Sequence, residues 1–319
     1  MIAVNRPHST HGVTAPSGAA KGDRMDHRRA LYPVLMTLLG VALYSVMDAM
    51  MKGASLAMGA YSALLWRSFI AIAWTLPTWR LTGGRWPDGA TLRLHVLRGT
   101  VAAGMALSFF WGLTRLPIAE AIAISFVAPL IALYLAAVML GEQIARGAVL
   151  ASVMGLAGVV VIGGARMGAS EPADGVGWGI AAVVLSAVLY AWNLILQRRQ
   201  SQVAGPLEVA SFMNLTVAAC LLPFAPFLAV APPDALALAT VAGSAVLTVV
   251  AGMCLSWAYG RAEAQVLVPL EYSAFVWAAI MGWLFYREAV TVPTVAGTVL
   301  VVLACWIAVP RRHVEQTAL

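Results

Sequence analysis

The chain opens polar and turns apolar at about residue 31. From there to about residue 310, apolar runs alternate with short polar breaks. An α-helix needs roughly 20 apolar residues to cross the hydrocarbon core of a bilayer. Ten runs approach or exceed that length: 32–51, 61–80, 94–114, 118–140, 147–165, 177–197, 207–230, 236–257, 264–286 and 291–309. The breaks leave no room for a soluble domain with chemistry of its own. Helices satisfy their backbone groups internally and so suit lipid. The expected fold is an all-α membrane bundle of ten transmembrane helices. Residues 1–29 lack an apolar core, so they are not a signal peptide; they read as a disordered cytoplasmic tail. Residues 311–319, RRHVEQTAL, read as a second short cytoplasmic tail.

Composition strengthens the membrane reading. The chain is 61% hydrophobic and 11% charged, with mean hydropathy +0.84. A soluble domain carries about 25% charged residues. The +6 net charge is uneven along the chain. With the N-terminus inside, fifteen of the 20 Lys and Arg residues fall on the cytoplasmic side. That bias predicts both termini inside, and it explains the basic balance without any nucleic-acid partner. Cys220, Cys254 and Cys305 fall within apolar runs and read as packing residues. The NLT triplet at Asn214 also lies within a run, which removes it as a glycosylation site.

The chain aligns with itself at an offset of 146 residues. Tyr44 meets Tyr190, Lys52 meets Arg198, Trp111 meets Trp257, Arg115 meets Arg261 and Glu142 meets Glu288. The first run matches the sixth, an odd separation, so the two halves cross the membrane in opposite senses. Secondary carriers use inverted halves of this kind to expose one midplane site to each side in turn. The halves span 30–166 and 177–310.

Two stretches carry a resemblance. These are LSFFWGLTRLPIAEAIAISFVAPLIALYLAAVMLGE (107–142) and VPLEYSAFVWAAIMGWLFYRE (268–288). The chain resembles the drug/metabolite transporter superfamily, specifically its EamA-type carriers, over roughly residues 31–310. The resemblance implies ten helices in two inverted five-helix repeats, a central cavity and a small organic metabolite as substrate, often moved outward. It implies the cell membrane as location, a bacterial inner membrane, and no cofactor. One departure is Arg287, where the family usually has Gly before the Glu.

Charges inside a membrane are costly and face a cavity or a partner. Glu271, beside Tyr272, lies about seven residues into its run, or about 10 Å deep at 1.5 Å per residue. Pro269 frees the Gln265 carbonyl and Pro129 frees the Ser125 carbonyl. Ser125 is the residue aligned with Glu271, so both halves carry a polar, proline-disturbed site. Glu271 reads as a binder of a cationic substrate group or a carrier of a coupling proton; a structural partner to Arg98 or to a backbone group is the alternative. Asp48 and Lys52, spaced i, i+4, predict either a cavity wall with an outer gate or a local ion pair. Tyr44 and Tyr190 predict a paired aromatic lining, with Asn193 one turn further. Arg67 reads as a site for a substrate carboxylate or as a partner of Asp48 or Glu120. Arg98 reads as an interfacial anchor or a site residue, and Glu120 as a helix N-terminal acid. Small residues at Gly147, Ala151 and Gly155, and at Gly175 and Gly179, permit close helix contact, either within the chain or in a homodimer.

No phosphate-binding glycine loop, HExxH or G-x-S-x-G motif occurs, and the five histidines lie in tails or near a helix start. Neither an ATP-driven motor nor a metal-dependent or serine hydrolase is written in the chain. The expected function is a secondary carrier of an amino acid or related compound, with export favoured. An importer of a vitamin or nucleoside-like compound is the alternative, and a non-transporting scaffold is a third reading.

Overall fold

The computed structural model describes residues 19–128, 130–131, 134–135, 146–167, 175–261, 267 and 270–308. Ten helices of two or more turns order the described chain: α1 Ala19–Met58, α2 Ala60–Leu81, α3 Gly89–Leu113, α4 Ile118–Ser125, α5 Arg146–Met167, α6 Val176–Gln200, α7 Pro206–Leu221, α8 Ala235–Tyr259, α9 Ala274–Tyr286 and α10 Val292–Ala308. Two short turns, Leu222–Phe224 and Ala225–Leu228, extend α7. No strand occurs among the described residues. Pro129, Glu142, Gln265 and Pro269 lie outside the described residues, as do the side chains of Arg198 and Cys305. One expectation shifts at the N-terminus: residues 19–29, read as disordered tail, belong to α1.

Among the described residues, five segments are long and apolar enough to cross a membrane: Leu31–Met58, Gly89–Leu113, Val176–Gln197, Pro206–Leu228 and Ala235–Tyr259. The 25-residue α3 and α8 each measure about 38 Å at 1.5 Å per residue, enough for a core of about 30 Å. Their starts are set by the same device. Asp88 Oδ1 accepts from Thr91 N at 2.8 Å, and Asp234 Oδ1 accepts from Ala237 N at 2.7 Å. Each side chain satisfies an N–H that the helix leaves orphaned. Hydrogen bonding from the Thr91 side chain and then its backbone N–H holds the Asp88 carboxyl below its ordinary pKa.

These caps stand 146 residues apart, and other features repeat at that spacing. Gly59 caps α2 and Gly205 caps α7. The Arg115 guanidinium lies 3.5 Å from the Trp111 ring centre, and that of Arg261 lies 4.2 Å from Trp257. Each of these arginines also donates to its tryptophan's carbonyl, at 3.1 and 3.2 Å. The packing follows suit. α1 runs along α8 and α3 runs along α6; the offset carries α1 onto α6 and α3 onto α8, so one pairing maps onto the other.

Two expected spans are interrupted. A turn at Phe126–Val127 ends α4, and a turn at Tyr272–Ser273 precedes α9. Both turns use tightened i to i−3 bonds, Val127 N to Ile124 O at 3.2 Å and Ser273 N to Leu270 O at 3.1 Å. Such bonding marks a local break from α geometry. The two turns again differ by 146 residues.

Small residues bring helices together within the chain. A Cβ on Gly158 would lie 2.6 Å from the Gly297 carbonyl oxygen, which places α5 against α10. A Cβ on Gly155 would meet Leu130, and one on Gly179 would meet Arg115 at 2.9 Å. The seams at Gly155 and Gly179 are therefore filled internally. Large apolar side chains such as Val153, Leu156 and Val160 line the outer face of α5. Lipid tails solvate them as well as a protein core would.

Arg287 caps α9 at φ 56°, the left-handed conformation in which a side chain costs energy and glycine does not. At the aligned position the first half of the chain has a glycine, Gly141. Here the Arg287 guanidinium sits 5.5 Å from the Trp283 ring centre. Arg287→Gly is expected to stabilise the protein by about 1 kcal/mol, less what the ring contact contributes; the melting temperature in detergent measures it.

Candidate functional site

The interrupted segments and the paired helices enclose one cavity of about 360 Å³. Its walls come from α1, α2, α3, α4, α6, α7 and α8 together with Glu271, Tyr272 and Ala274. Ser125 and Glu271 both line it, each next to its segment's turn. So do Tyr44, Asp48, Arg67, Arg98, Tyr190, Asn193 and Tyr272. The nine cavity residues expected from the sequence therefore meet in one space. The two expected helix breaks at Pro129 and Pro269 fall outside the described residues.

Glu271 accepts a hydrogen bond from the Tyr259 hydroxyl, and the Tyr190 hydroxyl faces the same carboxylate. The structural alternative of a Glu271–Arg98 ion pair does not occur. Phe126 and Tyr272, aligned residues of the two halves, touch edge to face with ring centres 5.0 Å apart. The Ser125 hydroxyl bonds back to Ala121 O at 2.9 Å, along its own helix.

Arg98 takes the second of its two expected places, in the cavity wall. As an interfacial anchor it would reach outward; instead it is buried and turned onto α6. Its Nε donates to Asn193 Oδ1 at 3.0 Å and its Nη2 to Gln197 Oε1 at 3.2 Å, while Nη1 donates to Gln200 Oε1. The Gln200 amide then meets His95 Nδ1 at 2.5 Å, and His95 Nε2 lies 3.1 Å from Glu208 Oε1. His95 is fully buried and stacks on Phe212 with ring centres 4.8 Å apart. Sequence reasoning passed over His95, Gln197 and Gln200. A signal was present: Asn193, Gln197 and Gln200 fall at i, i+4 and i+7 of an apolar helix, one polar stripe.

Lys52 is a correction. The i, i+4 spacing allowed a pair with Asp48, but Lys52 turns away from it. Its Nζ pairs with Glu288 and donates to Leu116 O at 2.6 Å. Glu288 Oε2 also accepts from Ile118 N at 2.8 Å, at the start of α4. Tyr286 OH donates to Ala49 O at 2.6 Å beside them. This cluster ties α1, the α3–α4 junction and the end of α9 together one turn beyond Asp48. At the other end, the cavity reaches Gln197 and Pro206, where α6 ends and α7 begins.

Arg67 pairs with neither Asp48 nor Glu120 among the described residues. Its closest polar contact is Met47 Sδ at 3.6 Å, and its Nε has no partner. Glu120 stands in the first turn of α4, where Thr294 Oγ1 donates to it at 3.3 Å. Asn214, in the discarded glycosylation triplet, is buried and bonds to Ala210 O at 2.9 Å.

The EamA-like transporter family matches the chain twice, at residues 31–164 and 177–309. The chain belongs to the EamA-like transporter family. The pseudopaline exporter CntI of Pseudomonas aeruginosa is 27% identical over 274 residues, 85% of this chain and 94% of that protein. A riboflavin transporter of Rhizobium johnstonii is 28% identical over 264 residues, covering 80% and 82%. An S-adenosylmethionine uptake transporter of Rickettsia prowazekii is 26% identical over 268 residues, covering 84% and 88%. A solved crystal structure matches with a TM-score of 0.60 at 24% identity, over 86% of this chain and 96% of that one, a likeness of fold. As an EamA-like chain with several membrane-length apolar helices, it is a multi-pass membrane protein of a transporter family. The family and these relatives are named as transporters.

Proposed function

We propose that the protein is a secondary active carrier whose two five-helix halves, inverted in the membrane, expose the central cavity to each side in turn. One observation carries this reading. Ser125 and Glu271, equivalent positions of the two halves, line the same cavity beside equivalent helix interruptions. Freed backbone near a midplane site is a recurrent feature of carriers built from inverted halves. Both termini lie in the cytoplasm of a bacterial inner-membrane protein on this reading. The Lys52–Glu288 cluster then seals the outer side, and the cavity reaches the inner side at Gln197 and Pro206.

The cargo is a small organic metabolite, an amino acid or related compound, with export favoured by the likeness to the pseudopaline exporter. A second reading, uptake of a vitamin or nucleoside-like compound, is favoured by the likeness to the riboflavin and S-adenosylmethionine transporters. Glu271 is the group available for proton coupling. The reading needs no homodimer, because the small-residue seams at Gly155 and Gly179 are filled within the chain.

Purified protein in liposomes loaded with unlabelled solute separates the readings. Counterflow of labelled leucine or phenylalanine is expected. Counterflow of riboflavin or S-adenosylmethionine alone would support the importer. No exchange, together with a cavity cysteine that is never labelled from the outer side, would leave a scaffold.

A further inference from the structure

Among the described residues, four charged side chains line the cavity, Asp48, Arg67, Arg98 and Glu271. They differ in what they already hold. Arg98 has an acceptor for each of its three nitrogens on α6. Glu271 has Tyr259 as a donor, with Tyr190 beside it. Arg67 and Asp48 have neither. Arg67 is 7% exposed, its Nε is unpartnered, and a thioether sulfur at 3.6 Å is its one side-chain hydrogen-bond contact. Asp48 is 8% exposed and takes part in no hydrogen bond or ion pair among the described residues. The two interact electrostatically without forming an ion pair. Leaving a buried ion without a partner is strongly unfavourable, and water or a ligand must supply what the protein does not.

Among the described residues the lining holds two positive and two negative side chains. A cargo with net charge would bring an uncompensated ion into a low-dielectric space. A zwitterion would not. An α-amino acid carries its carboxylate and ammonium on one carbon, so the two ends suit a neighbouring cation and anion. A guanidinium meets a carboxylate with two parallel hydrogen bonds. Around this pair the wall is apolar, with Phe109, Phe110, Phe126 and Met213, and Phe110 lies 5.3 Å from the Arg67 guanidinium carbon. The 360 Å³ volume is at the small end of ligand pockets, about 300–1,000 Å³.

We propose that Arg67 and Asp48 form a head-group subsite that takes the carboxylate and ammonium of an α-amino acid with a large apolar side chain. The proposal rests on the carrier reading and names what that carrier recognises. Arg98 holds the cavity wall and Glu271 is left for proton coupling, while Arg67 and Asp48 touch the cargo.

Purified full-length protein in detergent tests this by thermal shift, since a ligand bound only to the folded state raises its melting temperature. The probes are L-leucine, L-methionine, L-phenylalanine and L-tryptophan, followed by phenethylamine and 3-phenylpropionate, which keep the ring and lack one charged end. At least one amino acid is expected to stabilise the wild type, and each truncated analogue to bind about tenfold or more weakly, a loss of about 1.4 kcal/mol. Arg67→Gln is expected to weaken amino-acid binding at least about tenfold and Arg67→Lys to restore part of it. Asp48→Asn is expected to weaken phenylalanine while leaving 3-phenylpropionate unchanged, a split that misfolding cannot produce. The proposal is overturned if no amino acid stabilises the wild type, if the truncated analogues bind as well, or if folded Arg67→Gln binds like wild type. A cavity cysteine that still changes the side from which it is labelled would then leave the carrier standing without this subsite.

Discussion

Glu271→Gln is expected to cut solute counterflow about ten- to hundredfold, the scale of reducing interactions with a charged group to neutral ones. The substitution keeps the size and the carbonyl that accepts from Tyr259, and removes only the charge and its titration. A structural role would survive it. A group that carries a proton or answers a cargo charge would not. Two assays separate these outcomes. The first is counterflow in proteoliposomes at a fixed internal pH. The second is the dependence of net transport on an imposed pH gradient, which should vanish in the variant if Glu271 couples protons. Tyr259→Phe, which deletes the donor to the carboxylate, should give a smaller defect with the pH dependence retained. A Glu271→Gln protein that transports at the wild-type rate with an unchanged pH profile would remove Glu271 from the mechanism.

The scaffold was more legible than the site, for a physical reason. Apolar length marks a spanning helix regardless of what packs beside it, so runs such as 94–114 and 236–257 appear as α3 and α8. Local signals such as Asp88 and Asp234 set their starts. Proline gave a warning of the interruptions near 126 and 272, though not their place. Partner choice was another matter. The i, i+4 rule finds Asp48 near Lys52, but Glu288 lies 236 residues further on, and only the folded chain brings it to Lys52. Arg98 was open between an interfacial anchor and a site residue, and only the fold brings it to the three amide oxygens of α6 that together satisfy it. His95 looked peripheral because it lies six residues into α3; packing with α6 and α7 makes that helix end a core. Arg67 stayed open between a cargo site and a pairing role until the missing pair became visible. The aligned halves share their frame and differ in their chemistry: Arg67 aligns with Met213, Arg98 with Ser244 and Glu271 with Ser125. Symmetry thus predicts where a cavity forms and leaves its charges to the individual residues.

Lys52→Met and Glu288→Gln are expected to shift the protein toward the conformation open at the Lys52 end of the cavity. Lys52 and Glu288 are largely buried, and the cluster fastens α1 to α9 and to the start of α4. Removing one member of a buried ion pair costs about 3–5 kcal/mol because the other charge is stranded. That cost falls on the sealed conformation alone if the pair opens to water in the other. A difference of about 3 kcal/mol changes a two-state ratio by more than about a hundredfold. Ile122→Cys in a background with Cys220, Cys254 and Cys305 replaced places a reporter in the cavity wall. A membrane-impermeant maleimide applied outside should label it slowly with the seal intact and rapidly in either variant. Glu142 and Arg198 align with Glu288 and Lys52 at the same 146-residue offset, so Glu142→Gln should act in the opposite sense and slow external labelling. If breaking the Lys52–Glu288 pair merely lowers the melting temperature and leaves the labelling rate unchanged, the pair is a structural tie and the gate lies elsewhere. A seal that both supports one state and must be broken to reach the other sets a limit on turnover. Weakening it only partly, with Lys52→Arg, should therefore change the transport rate more than the affinity for cargo.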